Sequence, residues 1–285
     1  MSDTTKPALI EQMLSPEFYS HPVQTPIRLV QTHISYVLLT GDYAYKVKKP
    51  LDFGFLNYAT LERRQHFCQE ELRLNQRGAS EIYLDALPIT QQGDRYCLGG
   101  EGTPVEYAVK MRQFPQDRLL SRYFDRGDLT PEMLQNLAQI IAAFHQAAPS
   151  SEEVRSFGEI SQVRQSIDEN YDQTEQYIGG PQTQQQFDET RAYTDRFFDE
   201  QAALFESRID KGWIRECHGD LHLNNICCWQ DKYLLFDCIE FNKSFRFVDV
   251  MFDIAYIVMD LDARDRPDLR TLFLNAYVEQ TGDWE

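Results

Sequence analysis

The chain has 285 residues, of which 42% are hydrophobic and 13% aromatic, and a formal net charge of −17. That length suffices for one large domain or two lobes, and the acidity disfavours nucleic acid and anionic membranes while mildly favouring a cationic ligand or simply keeping the chain soluble. No apolar run approaches the ~20 residues of a membrane span, and the opening MSDTTKPALIEQML lacks the basic and apolar regions of a secretory signal, so a cytoplasmic location is expected.

Residues 27–49 contain two β-rich runs, ISYVLL and YAYKVK, on either side of a TGD turn. Residues 59–77 read as a helix with Phe67, Glu71 and Leu74 on one face. RYCLGGEGTPVEYAVKMRQFP forms another hairpin, so five strands and one helix are expected before about residue 112. A helix starts near Thr130, with Pro131 in its first turn and an apolar stripe of Met133, Leu137, Ile140, Ile141 and Phe144. Residues 160–210 read as two polar helices broken at GGPQ, and NICCWQDKYLLFD as a short hairpin turning at Gln230-Asp231. FVDVMFDIAYIVMDLD and RPDLRTLFLNAYVEQ read as C-terminal helices. The expected class is α+β: a β-rich lobe over 1–111 with one helix, a linker at MRQF, and a mainly helical lobe over 112–285 with inserted helices at about 160–210.

The densest polar chemistry is HGDLHLNN, residues 218–225, followed by the apolar strand YLLFD. A tight hairpin between Asn225 and Asp237 would return the carboxylate to the amide, and an amide oxygen beside a carboxylate suits Mg²⁺. Asp220 then stands nearby to orient a hydroxyl and accept its proton. Taken singly, Asp220 also reads as a loop stabiliser, Asn225 as a turn amide and Asp237 as a strand-end cap; phosphoryl transfer is the chemistry that uses all three together. The six cysteines show no CxxC spacing and read as reduced thiols. A zinc site of Cys217, His218, His222, Cys227 and Cys228 is disfavoured, because adjacent cysteines on a strand point to opposite faces.

A phosphoryl-transfer reading asks for a lysine on an upstream strand and a carboxylate on the next helix to orient it. AYK, residues 44–46, offers Lys46, with Lys48 and Lys49 as competitors, Lys48 on the same face but nearer the strand end. The helix offers Glu71, which shares the apolar face, with Glu70 as the fallback.

HGDLHLNN, LLFD and VDVMFDIAY, with AYK and a glutamate-bearing helix upstream, resemble the aminoglycoside phosphotransferase-like kinases, over about residues 27–260. YKVKKPLDFGFLNYATLERR and EFNKSFRFVDVMFDIAYIVMDLD resemble a bacterial branch whose members often carry a second, P-loop kinase domain. No GxxxxGK[ST] is present, so no P-loop domain is expected here, and the end at TGDWE suggests a truncated or short member. The resemblance implies a protein-kinase-like two-lobed fold, ATP and magnesium. By motif position it implies Asp220 as catalytic base, Asn225 and Asp237 as metal ligands, and Lys46 with Glu71 on the nucleotide. The linker, at Met111 and Gln113, would meet adenine through backbone groups. It further implies structural roles for His218 and for Asp253, which would tie down the loop backbone. The first hairpin carries QTHISY in place of a glycine-rich loop, and Glu240 lies three residues after Asp237 where many relatives place an acid at two. The expected activity is phosphorylation of a hydroxyl on a small molecule, with Glu240 and Asp249 as acids that could meet a cationic or polyhydroxyl acceptor. A same-fold transferase acting on a protein, by phosphate or AMP transfer, and a nucleotide-binding regulator are the alternatives.

Overall fold

The computed structural model describes residues 6–285. In chain order it contains helix α1 (Ala8–Met13), strands β1 (Arg28–Gln31), β2 (Ser35–Leu39) and β3 (Tyr43–Lys48), helix α2 (Leu61–Ala79), and strands β4 (Tyr83–Gln92), β5 (Arg95–Leu98) and β6 (Pro104–Arg112). Six helices follow: α3 (Leu120–Arg126), α4 (Pro131–Ala147), α5 (Glu152–Ser156), α6 (Ile160–Thr174), α7 (Gln184–Glu200) and α8 (Ala202–Asp210). Strands β7 (Ile214–Glu216), β8 (Ile226–Trp229), β9 (Lys232–Leu235) and β10 (Phe247–Asp249) precede helices α9 (Val250–Ala263) and α10 (Pro267–Thr281). Among the described residues, no helix is long and apolar enough to cross a membrane.

The chain divides into two compact units. One runs to Thr130 and takes back Asp220–Asn242; the other comprises Pro131–Gly219 and Lys243–Glu285. The division expected at 111/112 thus falls later, and a hairpin from far downstream rejoins the first unit. The reason is burial: Cys227 and Leu234 of that hairpin enter one apolar cluster with Cys68, Tyr83 and Val109, a long-range pairing that local pattern does not reveal.

The first unit is built on an antiparallel sheet of six strands, order β1-β2-β3-β6-β4-β5, where five strands were expected. The runs singled out in the sequence correspond to β2, β3, β5 and β6; β4 and β1, which pairs with β2 from Arg28↔Leu39 to Gln31↔Tyr36, are not among them. The β2–β3 turn closes as the TGD signal predicts: Thr40 donates to Tyr43 O from both its N–H (2.9 Å) and its hydroxyl (2.7 Å), and Gly41 takes φ +106. Helix α2 starts at the Thr60 N-cap, whose hydroxyl accepts from Arg63 N–H. Its buried face carries Arg64, Cys68, Glu71, Leu74 and Asn75, so charged and amide groups sit where a helix packed only for stability would place leucines. The late hairpin β8–β9 turns at Gln230 and Asp231, both at positive φ (52 and 59). That is the backbone twist a two-residue hairpin turn requires.

The second unit is mainly helical, with one short ladder of β7 against β10. The polar segment 160–210 forms three helices, α6, α7 and α8, rather than two. The buried face of α4 is Leu134, Leu137, Ala138, Ile141 and His145, whereas the expected Met133, Ile140 and Phe144 are half-buried. The helix is rotated toward a polar partner of His145, which an apolar-only count does not weigh. Residues 247–249 of the predicted helix are strand β10, and Asp249 caps α9 by accepting from Met251 N–H.

Candidate active site

Alternation along β3 puts Lys46 and Lys48 on one face. Both reach Glu71 of α2: Lys46 Nζ lies 2.8 Å from Oε1, and Lys48 Nζ lies 2.6 Å from Oε2. The competition between the two lysines therefore ends with both on one carboxylate. Glu70 pairs instead with Arg73 on the helix's outer side, at 2.9 Å. Lys46 also contacts Asp237 Oδ1 at 2.7 Å, and Lys48 also pairs with Glu240. Burial works against charging either lysine, yet the carboxylates outweigh it. Asp237 and Glu71 hold Lys46, and Glu240 and Glu71 hold Lys48, well above the ordinary lysine pKa. Burial likewise opposes charging Glu71, but the two ammonium groups keep its pKa lowered.

The backbone leading into Asp220 is anchored by Asp253 of α9. Its carboxylate accepts from Gly219 N–H (2.7 Å), from His218 N–H (3.1 Å) and from His145 Nε2 (2.9 Å). Because Nε2 donates there, His145 Nδ1 accepts from Tyr277 OH at 2.8 Å. Burial would raise the Asp253 pKa, but the hydrogen bonds it accepts from His145 and, less strongly, from the Gly219 N–H leave it lowered. His145, Cys217 and Asp253 have the mutual spacing of metal ligands, but His145 and Asp253 are engaged by these hydrogen bonds, and Cys217 Sγ donates to Val248 O at 3.6 Å. Asp220 is the next residue after Gly219. Asn225 Nδ2 donates to the Asp220 backbone O and to its Oδ2, both at 3.0 Å, and His222 Nε2 lies 3.5 Å from the same Oδ2. With Nδ2 so committed, the Asn225 side-chain oxygen is directed away from Asp220.

Hairpin β8–β9 brings the next carboxylate back. Ile226 faces Leu235, and Phe236 N–H donates to Asn225 O at 3.0 Å, so Asp237 leaves the ladder beside Asn225. Asp237 adopts φ +63, a left-handed conformation that costs a non-glycine residue on the order of 1–3 kcal/mol. The flanking groups hold it there: Asp237 N–H donates to Tyr83 OH (3.2 Å) and Cys238 N–H to Asn75 Oδ1 (2.9 Å). Asn75 in turn donates to Glu71 O at 2.8 Å. Asp237 keeps 46% of its side chain exposed while Glu71 has none, so one carboxylate is built for support and the other for contact.

Lys46, Glu71, Asp220, Asn225 and Asp237 thus all belong to the first unit. Of the linker residues, Met111 is the penultimate residue of β6 and packs against the apolar cluster that contains Tyr83 and Val109. Gln113 donates its N–H to Asp42 O (3.0 Å), and its side-chain oxygen accepts from Gly41 N–H (3.1 Å). Its polar groups brace the β2–β3 turn. The acids proposed to meet an acceptor are consumed elsewhere: Glu240 is buried with Lys48 and Tyr58, and Asp249 pairs with Arg208. Tyr58, Asn75 and Tyr83 have no role in the sequence reading, and Lys48 enters it only as the competitor of Lys46. Lys48 and Asn75 carried a signal, two residues from Lys46 on a strand and four from Glu71 on a helix; Tyr58 and Tyr83 carried none.

Residues 95–285 match the APH family, described as the phosphotransferase enzyme family. An uncharacterised protein of Mycobacterium tuberculosis is 30% identical over 266 residues, which cover 93% of this chain and 52% of that relative. The chain spans about half the length of the curated relatives it matches. Among solved structures, an ethanolamine kinase of Plasmodium vivax aligns over 95% of this chain and 74% of its own, at 12% identity and a TM-score of 0.48. An aminoglycoside phosphotransferase of Streptomyces rimosus aligns over 88% and 85%, at 15% identity and a TM-score of 0.43.

Proposed function

The chain belongs to the phosphotransferase enzyme family, and from that premise we propose that it transfers a phosphoryl group from ATP, with Mg²⁺, to a hydroxyl of a small molecule. The observation that carries the proposal is Lys46 held between the helix carboxylate Glu71 and the hairpin carboxylate Asp237. A lysine fixed by a buried acid and facing a half-exposed one is a phosphate reader beside a metal ligand.

The donor set suits magnesium: a half-exposed carboxylate on Asp237 and an amide oxygen on Asn225, both hard ligands. When bound, the ion would neutralise charge on the phosphates. Asp237 and Asn225 would hold it, Lys46 would exchange Asp237 for phosphate oxygens, and Glu71 would keep the lysine aimed. Asp220, with Oδ2 steadied by Asn225, would orient the acceptor hydroxyl and take its proton. Asp253 would fix the loop backbone ahead of that base through the His218 and Gly219 N–H groups. Adenine would lie along the linker, against the Met111 side chain, with Gln113 shaping the turn beside it.

Thermal-shift titration with ATP in the presence and absence of Mg²⁺, followed by ADP release across a panel of hydroxyl metabolites, tests this. A magnesium-dependent shift and acceptor-dependent ADP are expected. No magnesium-dependent nucleotide effect would sink the proposal, and pyrophosphate in place of ADP would point to AMP transfer.

A further inference from the structure

Glu71 is a node with two arms. One runs through Lys46 to Asp237, the other through Lys48 to Glu240. Asp237 and Glu240 are the ends of one four-residue segment, so two lysines on one strand face clamp that segment at both ends, from a single carboxylate. The arms differ in what surrounds them. Lys46 is 11% exposed and its far partner is half-exposed, whereas Lys48 is 1% exposed and Glu240 5%. Glu240 also accepts from Tyr58 OH, and the Lys48 ammonium sits 4.7 Å from the Tyr58 ring centroid.

We propose that Lys48, with Glu240 and Tyr58, is a positioning device for the metal-ligand segment, which keeps Asp237 in place while Lys46 exchanges it for phosphate. This rests on the phosphotransferase reading above. If Lys46 is to meet phosphate oxygens, as proposed above, its ammonium must give up its contact with Asp237. That departure removes the direct hold on Asp237 and half of the charge compensation of Glu71. The Lys48 arm has no exchange to perform, because both of its acids are buried. It keeps Glu71 charged and ordered and holds the segment at Glu240, so that the strained backbone at Asp237 does not relax as its lysine departs.

The test uses Lys48→Met/Glu240→Gln, which removes the arm without leaving either charge buried alone. The variant is expected to fold, to need about 10–100-fold more Mg²⁺ for half-maximal ATP turnover, the usual effect of losing a group that orients a metal ligand, and to show faster amide exchange at Asp237 and Cys238 while hairpin β8–β9 stays protected. Tyr58→Phe, which keeps the packing and deletes one hydroxyl, is expected to shift both readouts in the same sense by less, and it decides the matter if the double variant does not fold. A wild-type magnesium requirement together with wild-type exchange in whichever variant folds would overturn the proposal. Should the wild type itself show no magnesium-dependent nucleotide effect, the phosphotransferase reading fails, and the exchange rates at Asp237 and Cys238 alone decide whether Lys48 positions the segment.

Discussion

Lys46 Nζ sits 2.7 Å from Asp237 Oδ1, so the carboxylate proposed to take a metal ion already holds a cation. Replacing Asp237 with Asn keeps a residue that tolerates the left-handed backbone and removes the charge that both cations need. The expected outcome is loss of the magnesium-dependent part of the ATP melting shift, with the fold retained. A full wild-type shift in Asp237→Asn would remove Asp237 from the metal site.

Asp220 is the proposed base, and Asp220→Asn separates its charge from its shape. The amide can still accept from Asn225 Nδ2, as the carboxylate does at 3.0 Å, so the loop keeps its hydrogen bond. ATP affinity should stay near normal, and kcat should fall by about 10²–10⁴-fold, the range for losing a positioned acid or base. Steady-state ATP turnover checks it; an unchanged kcat refutes the assignment.

Gly78 lies in the last turn of α2, where a Cβ would stand 2.8 Å from Leu235 O and 3.0 Å from Leu235 Cβ. Helix propensity favours Ala over Gly by about 1 kcal/mol, yet here the close approach of α2 to β9 sets the sign. Gly78→Ala should destabilise by about 1–3 kcal/mol, the cost of overpacking. It should also weaken ATP binding, because Glu71 sits on α2 and Asp237 follows β9 by two residues, the two elements pushed apart. Urea unfolding and an ATP titration measure the two effects; a stabilised variant would show that the helix and hairpin shift without cost.

Asp253 and Glu71 both have lowered carboxyl pKa values in the fold. A depressed acid contributes stability that is complete above its unfolded pKa, about 4, and is lost as pH falls through the folded value. These two groups should therefore leave the melting temperature flat from neutral pH to about 5 and lower it below about 4. Asp253→Asn should be less stable at neutral pH, by about 1–3 kcal/mol for buried donors left short of an acceptor, and its melting temperature should fall less between pH 5 and 3. A parallel pH profile in the variant would assign the acid lability to other groups.

The local features were readable from residue order. TGD and Gln230-Asp231 specify their turns because few backbones suit two-residue connections. Thr130 and Pro131 mark a helix start for reasons confined to one turn of chain. Asp220, Asn225 and Asp237 could be grouped because a short hairpin has one way to close, and Glu71 could be preferred over Glu70 because helical periodicity separates inward from outward positions. What residue order left open was decided by contacts between distant segments. β1 is a strand because β2 pairs with it, and hairpin β8–β9 belongs to the first unit because Cys227 and Leu234 have apolar partners more than a hundred residues away. Periodicity put Lys46 and Lys48 on one face but could not apportion Glu71 between them, since a carboxylate has two oxygens and which lysine meets which is set by the approach of α2 to β3. The same limit hid Glu240: three residues from Asp237 it read as an acid for the acceptor, whereas the burial of Tyr58 and Lys48 around it makes it a structural partner. Charges of opposite sign find each other across a fold, and only the fold says which ones are within reach.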